Sequence, residues 1–225
     1  MARRIEPHTI ASPAGALEAL LEEPDDAEPG DGEAGDRAPR LAVVVCHPHP
    51  LYGGTMHNKV VYRMARGLRR AGAVVLRFNF RGAGRSQGVH AHLTGEIEDA
   101  RAALDWLRAR YPNLPFSLAG FSFGARVITR LGCELGCESS RESGTPRFLL
   151  AAGFPTSMGA ARYLETCAVR KIFIQSSHDE FGPRSELDAL YARLPEPKQL
   201  IYIEAADHFF AGALNELEEV LIRLR

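Results

Sequence analysis

The chain has 225 residues, which suggests one domain or at most two small ones. A formal charge of −1, with 45% hydrophobic and 24% charged residues, is typical of a globular protein and excludes disordered, fibrous and generally basic nucleic-acid-binding classes. No run approaches the ~20 consecutive apolar residues of a membrane helix and the polar start lacks a signal-peptide core, so we expect a cytoplasmic protein without membrane or nucleic-acid partners.

The N-terminal region predicts a hairpin followed by a loop. Two apolar runs, at residues 9–10 and 17–21, flank a Pro-Ala-Gly turn and indicate antiparallel strands at one edge of a sheet. Residues 24–40 hold six acids, three Gly and three Pro without a large apolar side chain. Such a segment buries too little surface to offset its ordering entropy, so we predict a flexible solvated loop within a single domain spanning residues 1–225.

Downstream of the loop, strand-like and helix-like runs alternate. Buried strands are predicted at residues 41–46, 73–80, 116–119, 148–153, 171–175 and 199–203. Helical patterns lie at residues 60–68, 95–111, 123–135, 184–194 and 212–224. Repeated strand-helix-strand units predict an α/β fold with a mostly parallel sheet and helices on both faces. Active sites of such sheets lie at the carboxyl ends of the strands.

The pattern Gly-x-Ser-x-Gly occurs around Ser86 and around Ser122. A nucleophilic serine of this type stands on a tight turn between a strand and a helix, and the flanking glycines prevent collisions. Ser122 follows a predicted strand and is followed at once by a helical pattern, so we predict it to be the nucleophile. Ser86 comes six residues after its strand ends near Phe80 and no helix follows, so we interpret it as a turn residue.

A serine nucleophile needs a base, and the base needs an acid, in the chain order Ser, Asp or Glu, His. Two later strand ends supply these groups. His208 follows the last predicted strand and is the predicted base, and Asp179 follows the preceding strand and is the predicted acid. Glu180 and Asp207 are alternatives for the acid, although Asp207 adjoins His208 and would have difficulty reaching its ring.

The oxyanion of an acyl-transfer reaction needs two N–H donors. One is predicted to be the backbone amide of Phe123, directly after the nucleophile. The other is expected in the loop after the strand at residues 41–46, which reads His-Pro-His-Pro from residue 47. Because proline has no N–H, His49 or Leu51 supplies it, and we favour His49.

Neither a metal nor a cofactor is expected. The histidines at positions 47, 49 and 57 share their segment with no carboxylate, and the alternating prolines hold it extended. The glycines of residues 82–88 have the wrong spacing for a dinucleotide turn. The four cysteines, Cys46, Cys133, Cys137 and Cys167, lack the pattern of a zinc site, and we expect four reduced thiols packed as small hydrophobic groups.

With these residues assigned, the chain resembles the α/β-hydrolase superfamily, and in particular small bacterial hydrolases with a His-Pro-His-Pro-x-x-Gly-Gly-Thr-Met motif. The resemblance rests on residues 47–56, 78–88, 120–124, 178–180 and 207–210. It implies an eight-stranded, mostly parallel sheet and a triad of Ser122, Asp179 and His208. Relatives include serine esterases and dienelactone-hydrolase-like enzymes, but the latter use Cys where this chain has Ser122, so their specificity does not carry over.

The expected function is a serine hydrolase of the carboxylesterase or thioesterase type that cleaves small soluble esters. Only residues 154–170 separate two strands between which lipase lids enter, so no lid domain is expected. Tyr52, Phe121 and Phe209 are predicted to contact the substrate, with core packing as the alternative. A monomer or homodimer is expected. The rival hypothesis is a non-catalytic protein of the same fold that binds a ligand or a partner.

Overall fold

The computed structural model describes residues 5–24, 38–137 and 144–224, and an eight-stranded sheet forms its centre. The strands are β1 Ile5–Ser12, β2 Gly15–Glu22, β3 Leu41–Cys46, β4 Ala73–Phe78, β5 Phe116–Phe121, β6 Leu149–Ala152, β7 Lys171–Ser176 and β8 Lys198–Ile203. The α-helices of the described residues are α1 Lys59–Arg70, α2 Thr94–Arg110, α3 Phe123–Cys137, α4 Arg184–Arg193 and α5 Leu214–Arg223. Within these ranges, every helix is too short or too polar to serve as a transmembrane span.

The strand order is β1-β2-β4-β3-β5-β6-β7-β8. β1 and β2 form the predicted antiparallel hairpin, and β2 continues antiparallel onto β4. From β4 to β8, all neighbouring strands in the sheet are parallel. The predicted α/β fold with a mostly parallel sheet is therefore confirmed. Because parallel strands end at the same edge, the segments after β3, β4, β5, β6, β7 and β8 meet there.

Apolar residues fill both faces of the sheet. Along β3, Val43 and Val45 point to the face covered by α1 and α5, whereas Ala42 and Val44 point to the face covered by α2, α3 and α4. This alternation is the period of two that a strand imposes on its side chains. Since both faces are covered, the central strands are apolar throughout, which is why the sequence shows continuous apolar runs there.

The interval between β6 and β7 contains no lid. It is fully described and holds two short 3₁₀ helices, Thr156–Met158 and Arg162–Thr166. Arg126 of α3 holds this interval against the body of the protein by donating hydrogen bonds to the carbonyls of Gly159 (2.8 Å) and Pro155 (3.4 Å). Of the predicted acidic loop, residues 25–37 lie outside the described residues.

The expectation of four reduced thiols is wrong for one pair. Cys133 of α3 and Cys167, which follows the second 3₁₀ helix, are joined by a disulfide, with Cα atoms 5.2 Å apart. The pair is 34 residues apart in sequence, and only the packing of the β6–β7 interval against α3 brings it together. Cys46 is a buried free thiol, and Cys137 is an exposed one.

Candidate active site

Ser122 occupies the turn between β5 and α3 with a φ of +56°, a left-handed conformation that a serine adopts at an energetic cost. Its amide donates to the Ala152 carbonyl at 2.9 Å. A Cβ on Gly120 would collide with the backbone of Gly124, and a Cβ on Gly124 would collide with the carbonyl of Cys46. Both glycines are therefore required by the close approach of β5, α3 and β3, and they allow the strained turn to form.

Ser86 has a different environment. Its hydroxyl is buried, donates to the Asn79 carbonyl at 2.7 Å and accepts from the Glu18 amide at 2.9 Å. Both capacities of the hydroxyl are thus used to fasten the loop after β4 to β2. No helix begins beside it, which agrees with its interpretation as a turn residue.

His208 and Asp179 lie together at the edge where the parallel strands end. The Nδ1 atom of His208 is 2.7 Å from Oδ2 of Asp179, and the two residues are 2% and 4% exposed. The other oxygen of Asp179, Oδ1, accepts hydrogen bonds from the amides of Phe181 and Gly182, each at 2.9 Å. A buried carboxylate with this set of donors holds one orientation and fixes the tautomer of the histidine.

The other ring nitrogen of His208, Nε2, is buried and makes no hydrogen bond with the described residues. The turn that carries Ser122 lies next to the His208 ring. A Cβ on Gly153 would lie 3.0 Å from Cε1 of His208, and the carbonyl of the residue before it, Ala152, accepts a hydrogen bond from the Ser122 amide. The ring of Phe121, the residue before Ser122, lies 4.8 Å from the His208 ring. The structure therefore brings the predicted nucleophile, base and acid to one place.

The two alternative acids are engaged with backbone amides. Glu180 accepts from the amide of His208 at 3.1 Å, and Asp207 accepts from the amides of Phe209 (2.9 Å) and Ala211 (3.0 Å). These bonds shape the loops after β7 and β8. Neither carboxylate contacts the imidazole ring of His208 by a hydrogen bond or ion pair, whereas Asp179 does.

Gln175, which the sequence analysis did not identify, holds the acid from behind. It is fully buried at the end of β7, and its Nε2 donates to Oδ2 of Asp179 at 2.9 Å and to the Gly182 carbonyl at 3.0 Å. Its Oε1 accepts from the Phe154 amide at 2.8 Å. A polar amide directly after the apolar residues 172–174 of a buried strand was the available signal, because such a group needs buried partners.

The loop after β3 presents two candidate oxyanion donors. The Leu51 amide donates to the His49 side chain at 3.3 Å, whereas the His49 amide is used in no hydrogen bond among the described residues. Phe123 begins α3, so its amide has no acceptor within the helix. Of the three predicted donors, the amides of Phe123 and His49 are therefore unused within the described residues, and that of Leu51 is engaged.

His47 anchors this loop. Its Nδ1 lies 2.6 Å from the Pro48 carbonyl, and its Nε2 accepts from the Phe80 amide at 3.0 Å. Burial lowers the pKa of His47 to about 4, so the ring is neutral at neutral pH. With both ring nitrogens engaged, His47 has none left for a metal, and no group of three His, Cys, Asp or Glu in the described residues could hold one.

The far end of the same loop is held at Met56 by β4. The Met56 amide donates to Oδ1 of Asn79 at 2.8 Å, and Arg77 donates to the Met56 carbonyl at 2.6 Å. Arg77 is in turn paired with Glu22, which also faces Arg69 at 3.1 Å, and all three side chains are buried. No local sequence pattern indicated this support, because its three side chains come from β2, α1 and β4.

The aromatic residues differ in exposure. Phe121 is fully buried against the His208 ring, so its predicted contact with substrate is not matched by its position and it supports the histidine instead. Phe209 is half-buried, and Tyr52 is 87% exposed. Phe181, which the sequence analysis did not name, is 44% exposed and lies 4.8 Å from the His208 ring. Its position after Asp179 was the only sequence signal.

Comparisons with known proteins identify the family. Residues 37–141 match the family described as Serine aminopeptidase, S33. The uncharacterized protein RP471 of Rickettsia prowazekii (strain Madrid E) is 36% identical over 188 residues, 79% of this chain and 75% of the relative. An alpha-beta serine hydrolase homologue from Coxiella burnetii is 33% identical, with a TM-score of 0.83 over 97% of this chain and 96% of that one. The chain belongs to the α/β serine hydrolase family.

A second solved structure shares the open architecture. XC6422 from Xanthomonas campestris, described as an a/b serine hydrolase without lid, is 31% identical with a TM-score of 0.80, over 98% of this chain and 93% of that one. The present chain has two short 3₁₀ helices between β6 and β7 and no lid there. The similarity extends over nearly all of both chains, so the lidless fold is shared.

Proposed function

We propose that the protein is a serine carboxylesterase or thioesterase with Ser122, His208 and Asp179 as its catalytic triad. The observation that carries the proposal is the 2.7 Å contact between Asp179 and His208, with Nε2 of the same ring left open beside the strained serine turn. A carboxylate, an imidazole and a hydroxyl in this order form the apparatus that converts a weak serine nucleophile into an active one.

In the proposed reaction, Nε2 of His208 accepts the proton of the Ser122 hydroxyl as its oxygen attacks the ester carbonyl. The amides of Phe123 and His49 stabilise the oxyanion of the tetrahedral intermediate. His208 then donates its proton to the leaving alcohol or thiol, and an acyl-enzyme remains. A water molecule activated by His208 releases the acid and restores the serine. Asp179, held by Gln175, stabilises the imidazolium that forms in both steps.

The proposed substrates are small and soluble. The interval between β6 and β7 leaves the strand-end edge that holds Ser122 without a lid. Exposed or half-buried aromatic rings contact the histidines there: Phe181 and Phe209 pack against His208, and Tyr52 packs against His49. Among these, Tyr52, Phe181 and Phe209 are the proposed contacts for the apolar part of the substrate. An open site of this kind accepts dissolved esters and needs no lipid interface to become active.

Short-chain p-nitrophenyl esters test the proposal. Wild-type protein should hydrolyse p-nitrophenyl acetate and butyrate, and Ser122→Ala or His208→Ala should lower kcat by at least about 10³-fold. Ser86→Ala is the matched control, because it removes a buried hydroxyl from the other Gly-x-Ser-x-Gly sequence, and it should retain most of the activity. Activity that survives Ser122→Ala would contradict the proposal.

Labelling with a fluorophosphonate gives an independent test. Peptide mapping should place the modification on Ser122 in the wild-type and Ser86→Ala proteins and find none in Ser122→Ala. A folded wild-type protein that is not labelled would favour the rival hypothesis of a non-catalytic binding protein. Because the matched family is described as an aminopeptidase, alanine p-nitroanilide should be assayed in parallel, and we expect it to be cleaved more slowly than the esters.

A further inference from the structure

Two histidine rings lie side by side next to the proposed oxyanion hole. The ring centroids of His49 and His90 are 4.7 Å apart, and both rings contact Phe123, at 4.8 and 5.8 Å. His49 comes from the loop after β3, and His90 comes from the loop after β4. The triad uses neither side chain, and the reaction proposed above needs only the backbone amide of His49.

The loop that carries His90 is strained and firmly held. His92 and Leu93 have φ values of +50° and +82°, which are costly for residues with side chains. The fully buried Glu96 accepts from the amides of Ala91 (2.9 Å) and Leu93 (2.8 Å). The same carboxylate therefore fixes the loop conformation that places His90 against His49.

Glu96 also determines which nitrogen of His90 is available. Its Oε1 lies 2.9 Å from Nδ1 of His90, a close contact that lacks the geometry of a hydrogen bond. A carboxylate at this distance favours the tautomer with its proton on Nδ1, in which Nε2 is a hydrogen-bond acceptor. Nε2 of His90 makes no hydrogen bond with the described residues and, unlike Nδ1, is not enclosed by them.

His49 has the opposite arrangement. Its Nδ1 accepts from the Leu51 amide at 3.3 Å, so the neutral ring carries its proton on Nε2 and donates there. Burial lowers the pKa of His49, which favours the neutral form of its ring. One ring thus offers an acceptor and its neighbour a donor.

We propose that His49 and His90 form a donor–acceptor pair that binds a hydroxyl group of the substrate and thereby selects hydroxy-substituted esters. A hydroxyl donates and accepts at a single oxygen, and rings 4.7 Å apart can both reach one oxygen. The buried Glu96 carboxylate, 2.9 Å from the His90 ring, disfavours an anionic group at the same place. This assignment rests on the proposed esterase function, whose substrate class it narrows.

Paired substrates test the assignment. We expect wild-type kcat/KM to be about tenfold higher for p-nitrophenyl 3-hydroxybutyrate than for p-nitrophenyl butyrate, the range that one or two neutral hydrogen bonds provide. In His90→Phe, which keeps a ring but removes both nitrogens, the ratio should fall to about one. His57→Phe is the matched control, because His57 is exposed and its ring makes no hydrogen bond with the described residues, and it should keep the wild-type ratio. An unchanged ratio in His90→Phe would overturn the assignment.

A binding measurement separates this inference from the esterase proposal. In Ser122→Ala protein with ¹⁵N-labelled histidine rings, methyl 3-hydroxybutyrate should shift the His90 Nε2 resonance at lower concentration than methyl butyrate does. Ester hydrolysis without a hydroxyl preference would refute the donor–acceptor pair and leave the esterase proposal intact. A selective shift in Ser122→Ala, together with a wild-type protein that hydrolyses no ester, would refute the esterase proposal and keep the hydroxyl site. Equal shifts with both esters would refute the site.

Discussion

Replacing His47 should change how the stability of the protein depends on pH. In the folded chain this imidazole is fully buried, and its two nitrogens contact the Pro48 carbonyl and the Phe80 amide. Protonation would bury a positive charge and remove the acceptor of the Phe80 amide. Burial accordingly lowers the pKa of His47 from 6.5 to about 4.

The sign of the effect follows from proton binding. Between about pH 6.5 and pH 4, the unfolded chain binds a proton at His47 and the folded chain does not, so the free energy of unfolding falls as the pH falls. The contribution is fully present above pH 6.5 and is lost as the pH approaches 4. At 1.36 kcal/mol per pH unit, the difference in pKa corresponds to about 3 kcal/mol.

Urea unfolding of wild-type and His47→Asn protein at about pH 7.5, 6.5, 5.5 and 4.5 measures this contribution. At the highest pH the variant should be less stable by about 1–3 kcal/mol, because the buried Phe80 amide loses its acceptor. As the pH falls from about 7.5 to about 4.5, the wild-type advantage should shrink by about 2.5 kcal/mol. His57→Asn, a change at an exposed histidine of the same loop, should give a curve parallel to wild type. A difference between wild type and His47→Asn that stays constant with pH would refute the reasoning.

Substitutions at three further positions test the support of the site. Gln175→Leu should lower kcat by about 10-fold or more with little change in KM, because Asp179 loses a donor on the oxygen that faces the histidine. Gln175→Glu should lower kcat further, because it adds a negative charge beside that oxygen. Equal kcat in wild type and Gln175→Leu would contradict this role. Gly124→Ala should lower both the urea midpoint and kcat, since the added methyl group collides with the Cys46 carbonyl. A variant as stable as wild type would show that the turn relaxes without cost and would contradict this expectation. Glu22→Ala should reduce the free energy of unfolding by about 3–5 kcal/mol, because it leaves two buried arginines without their shared carboxylate. A loss below about 1 kcal/mol in urea unfolding would show that this carboxylate does not stabilise the fold.

Local signals were sufficient for the order of the elements. The continuous apolar runs of the central strands and the helical periodicity between them predicted strands and helices within a few residues, because both patterns report burial along short stretches of chain. The turn at Ser122 was also local: two glycines, a strand before and a helix after it define an elbow. The hairpin strands were predicted too short, since their outer residues are half-exposed and carry mixed polarity.

Contacts between distant segments were harder to predict. Three acids near the ends of β7 and β8 suited the role of the acid, and the order of residues favoured Asp179 without excluding Glu180 or Asp207. The structure shows which carboxylate faces the His208 ring, because that depends on the relative positions of two loops. Gln175 was missed for the same reason, since its amide is explained only by partners from two separate loops, those after β6 and β7.

The sequence by itself determined the α/β class, the order of the strands along the chain and the candidate nucleophile turn, because each depends on residues close together in sequence. Tertiary structure alone decided the acid that faces His208, the Cys133–Cys167 disulfide and the pairing of His49 with His90. The physical reason is common to all three. Segments 29 to 41 residues apart are brought within a few ångströms of each other by the packing of parallel strands and helices, and no local pattern specifies which of their side chains meet.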